Sequence, residues 1–325
     1  MTIPALWRIA AIGVLLVCGC SPGSSQIELE YGEVVEIRLD KGNAPSLIGF
    51  YIGGFLPKGG SLNSLVVQDG SKWWLKKPHS EAVDLGLVDL YNTAGVDRIL
   101  SWEEFEPVVR STYYKARSAP SNVQGLKSAF GDWDQPEWFG YESKGQMTQF
   151  RRRLLVRREA LMSSLERLNS VSDPILYDEG TIIIGEHLEG QEVVETTAMI
   201  KRADKYWDYF AYGSDGNLTG SIQKSPDPIL VPTQCVGCHY GDKSFEPEKS
   251  FPNNARPGPS GERAVFVPDD WKNAGITRQL SEHAKRSDHV LGLYGTLFLA
   301  DMVARAGKGE TSDRESKLIQ KLGIE

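Results

Sequence analysis

Residues 235–239 read Cys235-Val236-Gly237-Cys238-His239, a Cys-x-x-Cys-His run. Two thiols at this spacing lie on one turn of the chain, where each can add to a vinyl group of the same porphyrin. The adjacent His239 is then placed to bind the iron from the proximal side. The run therefore predicts one covalent haem c, held by Cys235 and Cys238, with His239 as the proximal iron ligand.

Other sites share part of this pattern, so two alternatives stay open. The first is a disulfide or redox-active pair followed by an incidental His. The second is a zinc site, although the sequence has no second Cys-x-x-Cys pair to complete four tetrahedral ligands. The His that follows the second Cys directly favours haem over both.

The N-terminal residues are typical of an export signal. Arg8 supplies the positive charge, and the apolar run 9–17 is too short to span a bilayer. Small residues then precede Cys20, as in a bacterial lipobox. We therefore predict a lipoprotein signal peptide over residues 1–19, lipidation of Cys20 and a flexible tether over 20–26. The alternative is an ordinary signal peptide with two incidental cysteines.

The four cysteines are all accounted for by these assignments. Cys18 leaves with the signal peptide, Cys20 carries the lipid, and Cys235 and Cys238 carry the haem. Because haem c is attached outside the cytoplasmic membrane, the signal and the motif support each other. The expected location is periplasmic, or outer-membrane in a Gram-negative source because Ser21 follows the lipidated Cys.

Net charge excludes one class of function. The formal charge is −7 and the isoelectric point is about 5.4. A nucleic-acid-binding protein needs a basic face, so no nucleic-acid partner is expected.

The region 27–145 has no functional signal and is expected to be a β/α unit of unknown role. Its pattern predicts strands at 34–39, 47–56 and 65–67, helices within 81–118 with Ser101 as an N-cap, and an aromatic-rich loop over 119–146.

The segment 146–169 has the clearest helical pattern, since apolar residues recur at spacings of three, four and seven. Five arginines crowd it. They predict a solvated helix face that pairs with Glu159 and Glu166, or a cationic face toward an acidic partner or haem propionates.

Strands are predicted next, at 181–184, 193–201 and 206–212, separated by Gly- and Asp-containing turns. They form an antiparallel meander that leads directly to the haem motif. Residues 251–325 are expected to be a helical extension, with helices at 277–286 and 290–304 and a last helix that begins at Ser312 and ends at Gly323.

Several residues in this order carry a family resemblance. They are the strand at 180–186, Met199-Ile200-Lys201-Arg202, Trp207-Asp208-Tyr209-Phe210, Asp215-Gly216, Cys235 to His239, Asp242 and Phe245. The stretch 146–250 resembles the cytochrome P-460 family, which includes the cytochromes c-prime-beta.

The resemblance implies an α+β fold in which a curled antiparallel sheet holds a five-coordinate c-type haem. The flanking helices and the N-terminal β/α region lie outside it. Members bind or oxidise small nitrogen ligands such as nitric oxide and hydroxylamine. P-460 enzymes also carry a Lys-to-porphyrin cross-link, but the strand that often reads Lys-Glu here reads Gly185-Glu186, with Lys201 as the alternative lysine. This departure favours ligand binding or electron transfer over oxidation.

The open side of the haem has three candidate residues in the sequence. His187 is a distal iron ligand or a hydrogen-bonded strand-end His, and Glu186 is a distal acid–base group. Strand alternation places only one of the two on the haem side. Met302 is a sixth ligand or a core residue. The competing functions are a six-coordinate electron-transfer cytochrome with a redox partner and a haem-based sensor or interaction protein.

Overall fold

The computed structural model describes residues 33–39, 44–56, 60–78, 85–144, 150–171, 173–223, 228–240, 264–266, 268–271 and 289–324. The signal peptide, the lipidation site at Cys20 and the tether lie outside these ranges. So does the helix predicted at 277–286.

The N-terminal part forms a four-stranded mixed sheet with three helices. Its strands lie in the order β2-β3-β1-β4, and β1 pairs antiparallel with β3 and parallel with β4. The elements are β1 (Val34–Arg38), α1 (Ala44–Gly53), β2 (Val66–Asp69), β3 (Lys72–Lys76), α2 (Leu85–Thr93), β4 (Ile99–Ser101) and α3 (Trp102–Ala116).

One predicted strand in this part is wrong, because residues 47–56 lie largely within α1. The run has no polar alternation, and Ile48, Phe50, Tyr51 and Ile52 are all buried. A uniformly apolar run of this length fits a buried helix as well as a buried strand.

The N-cap at Ser101 is confirmed. Its hydroxyl accepts from the Glu104 backbone amide, and the Glu104 carboxylate accepts from the Ser101 amide at 2.9 Å. This reciprocal pair satisfies two amides that the first helical turn leaves without partners. The helical region predicted at 81–118 is therefore two helices, α2 and α3, separated by β4.

The loop predicted at 119–146 is also wrong. It contains α4 (Val123–Phe130), which Asn122 caps by accepting from the Gly125 amide at 2.8 Å, and the strand β5 (Trp138–Lys144). In β5, Trp138, Phe139 and Tyr141 are buried on both sides of a sheet. A strand buried on both faces has no apolar–polar alternation for a sequence pattern to detect.

A seven-stranded antiparallel sheet forms the centre of the protein, in the order β10-β9-β8-β7-β6-β5-β13, and it is not closed into a barrel. Its further strands are β6 (Arg151–Arg157), β7 (Ile182–Glu189), β8 (Glu192–Lys201), β9 (Trp207–Tyr212), β10 (Leu218–Thr219) and β13 (Ala264–Phe266). The predicted meander is confirmed as β7–β9, and so is the α+β class. The sheet extends beyond residues 146–250 on both sides, because β5 precedes that range and β13 follows it.

The helix predicted over 146–169 is the main error in the sequence reading. Residues Arg151–Arg157 form β6, and only Arg158–Glu166 form a helix, α5. Leu154, Leu155 and Val156 are buried in succession because β6 lies between β5 and β7, with apolar layers on both faces. Hydrogen bonds to β5 and β7 on both edges make this segment a strand, although its apolar residues have helical spacing.

Three of the five arginines in this segment bind acids from other elements, and the segment forms no continuous helix face. Arg151 pairs with Glu142 across the strands, and Arg158 binds Asp301 at 2.9 Å. The predicted intrahelical pairs with Glu159 and Glu166 are wrong. Both acids instead bind Arg314, which lies in the last helix, at 2.8 and 2.6 Å.

The sheet has two faces that can be defined by strand register. Tyr141, Leu154, Gly185, Thr197 and Ala211 lie opposite one another across β5–β9, and their side of the sheet is called the first face. Residues next to them along each strand point to the second face, since side chains alternate along a strand.

Different helices cover the two faces. On the first face, the ring of Phe50 from α1 lies 6.3 Å from that of Tyr209, and Phe139 lies 5.2 Å from Phe298. On the second face, α4 and the loop after it pack Leu126 and Trp133 against the sheet.

The C-terminal helices are α7 (His289–Ala306) and α8 (Asp313–Leu322), as predicted. Ser312 and Glu315 form the expected capping box, and Gly323 ends α8 with φ of 61°. Met302 is fully buried in α7, which supports its interpretation as a core residue. Within the described ranges, no helix combines the length and apolar character needed to cross a membrane.

Candidate functional site

The Cys-x-x-Cys-His run forms a helix at one end of the central sheet. This helix, α6 (Thr233–Tyr240), follows the short strand β12 (Ile229–Leu230), which pairs with β11 (Ser221–Ile222). The Val231 amide donates to the Gly220 carbonyl at 3.0 Å, which fixes the start of α6 beside the end of β10. In a helix, positions 235 and 238 lie on the same side, as the motif requires.

Cys235 lies in the protein core. It is 9% exposed, and the following Val236 is 2% exposed. Both belong to the same apolar cluster as Trp207, Tyr209 and Ala211 of the first face. The side chains of Cys238 and His239 lie outside the described part of the structure, so the geometry of the complete motif stays a prediction.

Two tyrosines from the N-terminal part have pKa values that respond to the charge of Cys235. Tyr114, in α3, donates a hydrogen bond from its hydroxyl to the Thr219 carbonyl. Tyr51, in α1, is 1% exposed, and its hydroxyl is buried without a hydrogen-bond partner among the described residues. Burial raises the pKa of both phenols, and the negative charge of an ionised Cys235 raises each pKa further.

His187 lies on the first face, opposite Arg152 and Glu195. It is 3% exposed, and neither ring nitrogen has a hydrogen-bond partner within the described ranges. Its Nδ1 lies 3.6 Å from Glu195 Oε2, just beyond hydrogen-bonding distance. Burial lowers the pKa of His187, while Glu195 opposes that effect, so the imidazole is neutral at neutral pH.

Glu195 is held in position by the chain that leads to the motif. Its Oε1 accepts from the Gln223 backbone amide at 2.6 Å. Gln223 directly follows β11, and β11 pairs with the strand that precedes α6. The His187–Glu195 pair and the motif helix are thus joined through one short hairpin.

Gly185 has a steric reason to be glycine. A Cβ at this position would lie 2.8 Å from both Arg152 Nη2 and Thr197 Oγ1. The Thr197 hydroxyl also donates to the Gly185 carbonyl at 3.1 Å. The space that a side chain at position 185 would need is therefore occupied by side chains from the two neighbouring strands.

Glu186 lies on the second face, on the other side of the sheet from the cluster that contains Cys235. It is 4% exposed and accepts from Trp133 Nε1 at 2.7 Å and from Arg153 Nε at 2.6 Å. Glu186 thus lies on the opposite side of the sheet from the cluster that contains Cys235, whereas His187 lies on the same side as that cluster.

Lys201, the other lysine considered for a porphyrin cross-link, is also engaged. It is 3% exposed, its Nζ donates to the Lys205 carbonyl, and the same Nζ lies 5.2 Å from the centre of the Trp207 ring. These contacts hold the amine at the end of β8.

A buried charge network ties the N-terminal part to the sheet, and nothing in the sequence pattern indicated it. Asp208 Oδ1 lies 3.0 Å from Arg117 Nε and 3.3 Å from Arg202 Nη1, and Tyr113 donates to it at 3.3 Å. Both guanidinium groups also donate to the Phe50 carbonyl, at 3.2 and 2.8 Å. Elements far apart in sequence, α1, α3 and β9, therefore share one ion cluster.

Sequence reasoning missed Tyr51 and Glu195. Glu195 could have been found, because it is an acid inside a predicted strand whose residues from 193 to 200 are otherwise apolar or β-branched. Tyr51 could not, since only tertiary packing brings α1 into the apolar cluster that contains Cys235.

Among the side chains that the structure describes, no group of three or more His, Cys, Asp or Glu residues is arranged to hold a metal ion. No protein-family model matches the chain, and neither a curated protein nor a solved structure matches it. The resemblance to the cytochrome P-460 family therefore stays a prediction from the sequence.

Proposed function

We propose that this chain is an exported, lipid-anchored c-type haem protein that binds small nitrogen ligands, such as nitric oxide or hydroxylamine, at an open iron position. The observation that carries the proposal is the placement of Cys-x-x-Cys-His on a helix whose first cysteine is buried in the apolar core beside the sheet. Exposed redox pairs need access to a partner thiol, whereas a porphyrin needs apolar surroundings.

The residues present fit a haem in their chemistry. Cys235 and Cys238 would hold the ring through thioether bonds, and His239 would bind the iron. Tyr51 and His187 are among the buried side chains whose polar atoms have no hydrogen-bond partner in the described ranges, so these atoms are available to a bound haem or its ligand. The bound haem would supply an iron atom that coordinates a small ligand.

His187 is the residue best placed to act on the open side. Its imidazole is neutral, and Glu195, fixed by the Gln223 amide, lies near Nδ1 and favours the tautomer that carries the proton there. Nε2 is then an acceptor for a proton or for a ligand N–H or O–H. His187 would hold and orient a ligand on the first face.

Glu186 has a structural role in this proposal. Its two carboxylate oxygens are already bonded to Trp133 and Arg153, and it points away from the motif helix. A proton carrier must reach its substrate, so Glu186 is not assigned to the reaction. The crowding at Gly185 likewise supports ligand binding over P-460-type oxidation, because a lysine there would displace Arg152 and Thr197.

A second function is favoured by one observation. The two His187 ring nitrogens without hydrogen-bond partners suit an axial iron ligand as well as a hydrogen-bond acceptor. In that case the protein would be a six-coordinate electron-transfer cytochrome that meets a redox partner protein.

The test is expression of the exported chain together with a cytochrome c maturation apparatus. We expect the mass of one haem on the protein and none on Cys235→Ala/Cys238→Ala. A full-length chain that acquires no haem would end the proposal.

Spectroscopy of the loaded protein then separates the two functions. Ligand binding predicts a high-spin iron and a Soret band that shifts when nitric oxide or carbon monoxide is added to the reduced protein. A low-spin iron that becomes high-spin in His187→Ala would establish the electron-transfer cytochrome instead. Met302→Ala is the matched control and should leave the spin state unchanged.

A further inference from the structure

The buried side chains of His187 and Glu195 face each other across β7 and β8. They are paired in strand register, each is 3% exposed, and His187 Nδ1 lies 3.6 Å from Glu195 Oε2. A β-bulge follows directly, because Leu188 pairs with Val193 and leaves Val194 as an extra residue. Bulges are enriched beside active sites, where they redirect side chains. The strand pairing is therefore irregular at the point where this pair lies.

One oxygen of the Glu195 carboxylate is held by the backbone. Its Oε1 accepts from the Gln223 amide at 2.6 Å, and a hydrogen bond to a charged acceptor is among the stronger ones. Oε2 is then the oxygen that faces His187. Because a backbone amide can only donate, the Gln223 contact requires an acceptor from whichever side chain stands at position 195.

The carboxylate decides where a neutral His187 imidazole carries its proton. An unprotonated Nδ1 would direct its lone pair at Glu195 Oε2, and two acceptors repel each other. The proton therefore stays on Nδ1. Nε2, which has no hydrogen-bond partner among the described residues, keeps its lone pair and can only accept.

The other polar side chain beside His187 is directed elsewhere. Arg152 lies opposite His187 on β6, and its Nη2 is 3.5 Å from the Thr197 hydroxyl and 2.8 Å from the position of a Cβ on Gly185. The guanidinium group therefore lies toward the next row of the sheet. The polar group at the His187 position is the imidazole itself.

We propose that Glu195 is a positioning residue that determines ligand specificity: it holds the His187 proton on Nδ1, so that Nε2 offers a ligand on the open side of the haem an acceptor and no donor. Hydrogen-bond donors beside a haem iron decide how well dioxygen binds, whereas nitric oxide and carbon monoxide depend on them much less. The site then binds nitric oxide and discriminates against dioxygen. This inference rests on the proposed function.

Glu195→Gln is the decisive variant because it keeps the shape of the side chain and reverses its polarity toward His187. The Gln223 amide still needs an acceptor, so the introduced amide turns its oxygen to Gln223 and its NH₂ group to His187 Nδ1. Nδ1 must then accept, and the proton moves to Nε2. Glu195→Ala removes the carboxylate without supplying a donor. Glu192→Gln is the matched control, since Glu192 is exposed on the same strand.

The position of the proton is measured by NMR of nitrogen-labelled histidine side chains in the reduced carbon monoxide complex, which is diamagnetic. The His187 signals are those that are missing in His187→Leu. We expect the proton on Nδ1 in the wild type and in Glu192→Gln, on Nε2 in Glu195→Gln, and on a mixture of both nitrogens in Glu195→Ala.

The specificity is measured as the affinity of the reduced protein for each gas by rapid mixing. In Glu195→Gln, Nε2 becomes a donor, so the affinity for dioxygen should rise about tenfold, the effect of one hydrogen bond. The affinity for carbon monoxide should change little, and Glu192→Gln should match the wild type for both gases.

A wild-type proton on Nε2 overturns the inference, and so does an unchanged tautomer in Glu195→Gln and Glu195→Ala. A dioxygen affinity that does not follow the proton overturns it as well. A chain that takes up no haem after full maturation ends this inference and the proposed function together. A loaded chain that binds nitric oxide but keeps one tautomer in every variant ends only the role of Glu195.

Discussion

Glu186 and His187 are consecutive residues in β7, are buried to the same extent, and have opposite environments. Glu186 points to the second face, where Trp133 and Arg153 bind both of its oxygens. His187 points to the first face, where neither ring nitrogen has a hydrogen-bond partner among the described residues. Asp208, also on the second face, is bonded to Tyr113, Arg117 and Arg202.

This difference in hydrogen bonding distinguishes polar groups that stabilise the fold from a polar group that is available to a ligand. A buried carboxylate survives only where charges and hydrogen bonds replace water, and the second face provides both for Glu186 and Asp208. The His187 imidazole has Glu195 near Nδ1 at 3.6 Å but makes no hydrogen bond within the described ranges, so we expect it to contribute little to stability. We therefore expect that removing a polar group from the second face lowers the free energy of unfolding, whereas removing His187 from the first face changes it little.

The largest effect is expected from Asp208→Asn, which leaves two buried guanidinium groups without their shared charge. We expect a loss of about 3–5 kcal/mol in the free energy of unfolding, measured by urea titration. Asp204→Asn is the control, because the Asp204 side chain is 38% exposed and Arg202 keeps Asp208, so we expect a loss of about 1 kcal/mol or less. Equal losses in the two variants would contradict the network.

Glu186→Gln is expected to have the next largest effect. An amide can still accept one hydrogen bond, but Arg153 loses its buried charged partner, so we expect a loss of about 1–3 kcal/mol in the free energy of unfolding. The exposed Glu192→Gln on the next strand should cause no measurable change. If Glu186→Gln is as stable as the wild type, the hydrogen bonds from Trp133 and Arg153 do not stabilise the second face.

His187→Leu should be close to neutral in the haem-free chain at pH 8. The replacement is similar in volume and removes two nitrogens that make no hydrogen bond, so we expect a change of no more than about 1 kcal/mol in either direction. Urea unfolding beside Glu186→Gln gives the comparison. A loss as large as that of Glu186→Gln would show that His187 is a structural residue and would remove the contrast between the faces.

The smallest expected effect is on how the free energy of unfolding changes with pH. Burial lowers the pKa of His187 in the folded chain below its ordinary value of 6.5. The unfolded chain then binds a proton first, so stability is fully present above about pH 6.5 and falls as the pH drops from there toward the folded pKa. The difference between the unfolding curves of wild type and His187→Leu should grow on the acid side. Parallel curves from pH 8 to pH 5 would contradict a buried neutral imidazole.

Some elements were predictable because their signals are local. The capping box of α8 needs only Ser312 and Glu315, which are three residues apart, and the strands β7 and β8 are marked by β-branched runs with turns between them. The burial of α7 follows from an apolar run too short to span a bilayer.

Other elements were not predictable because partners distant in sequence decide them. Residues Arg151–Arg157 have helical apolar spacing, but β5 and β7 supply hydrogen bonds on both edges, and this pairing decides for strand. The apolar run around Phe50 is compatible with a strand or a helix. In the structure it is a helix, and Phe50 packs against Tyr209.

The sequence by itself determined the motif at Cys235, Cys238 and His239, the antiparallel meander before it and the expectation that only one of Glu186 and His187 faces the haem side. Each of these follows from spacing along the chain. The tertiary structure alone decided which of the two residues shares a side with Cys235 and which acids and arginines form the ion cluster at Asp208. Strand register and helix packing join residues far apart in sequence, and the free energy of those contacts depends on all partners together.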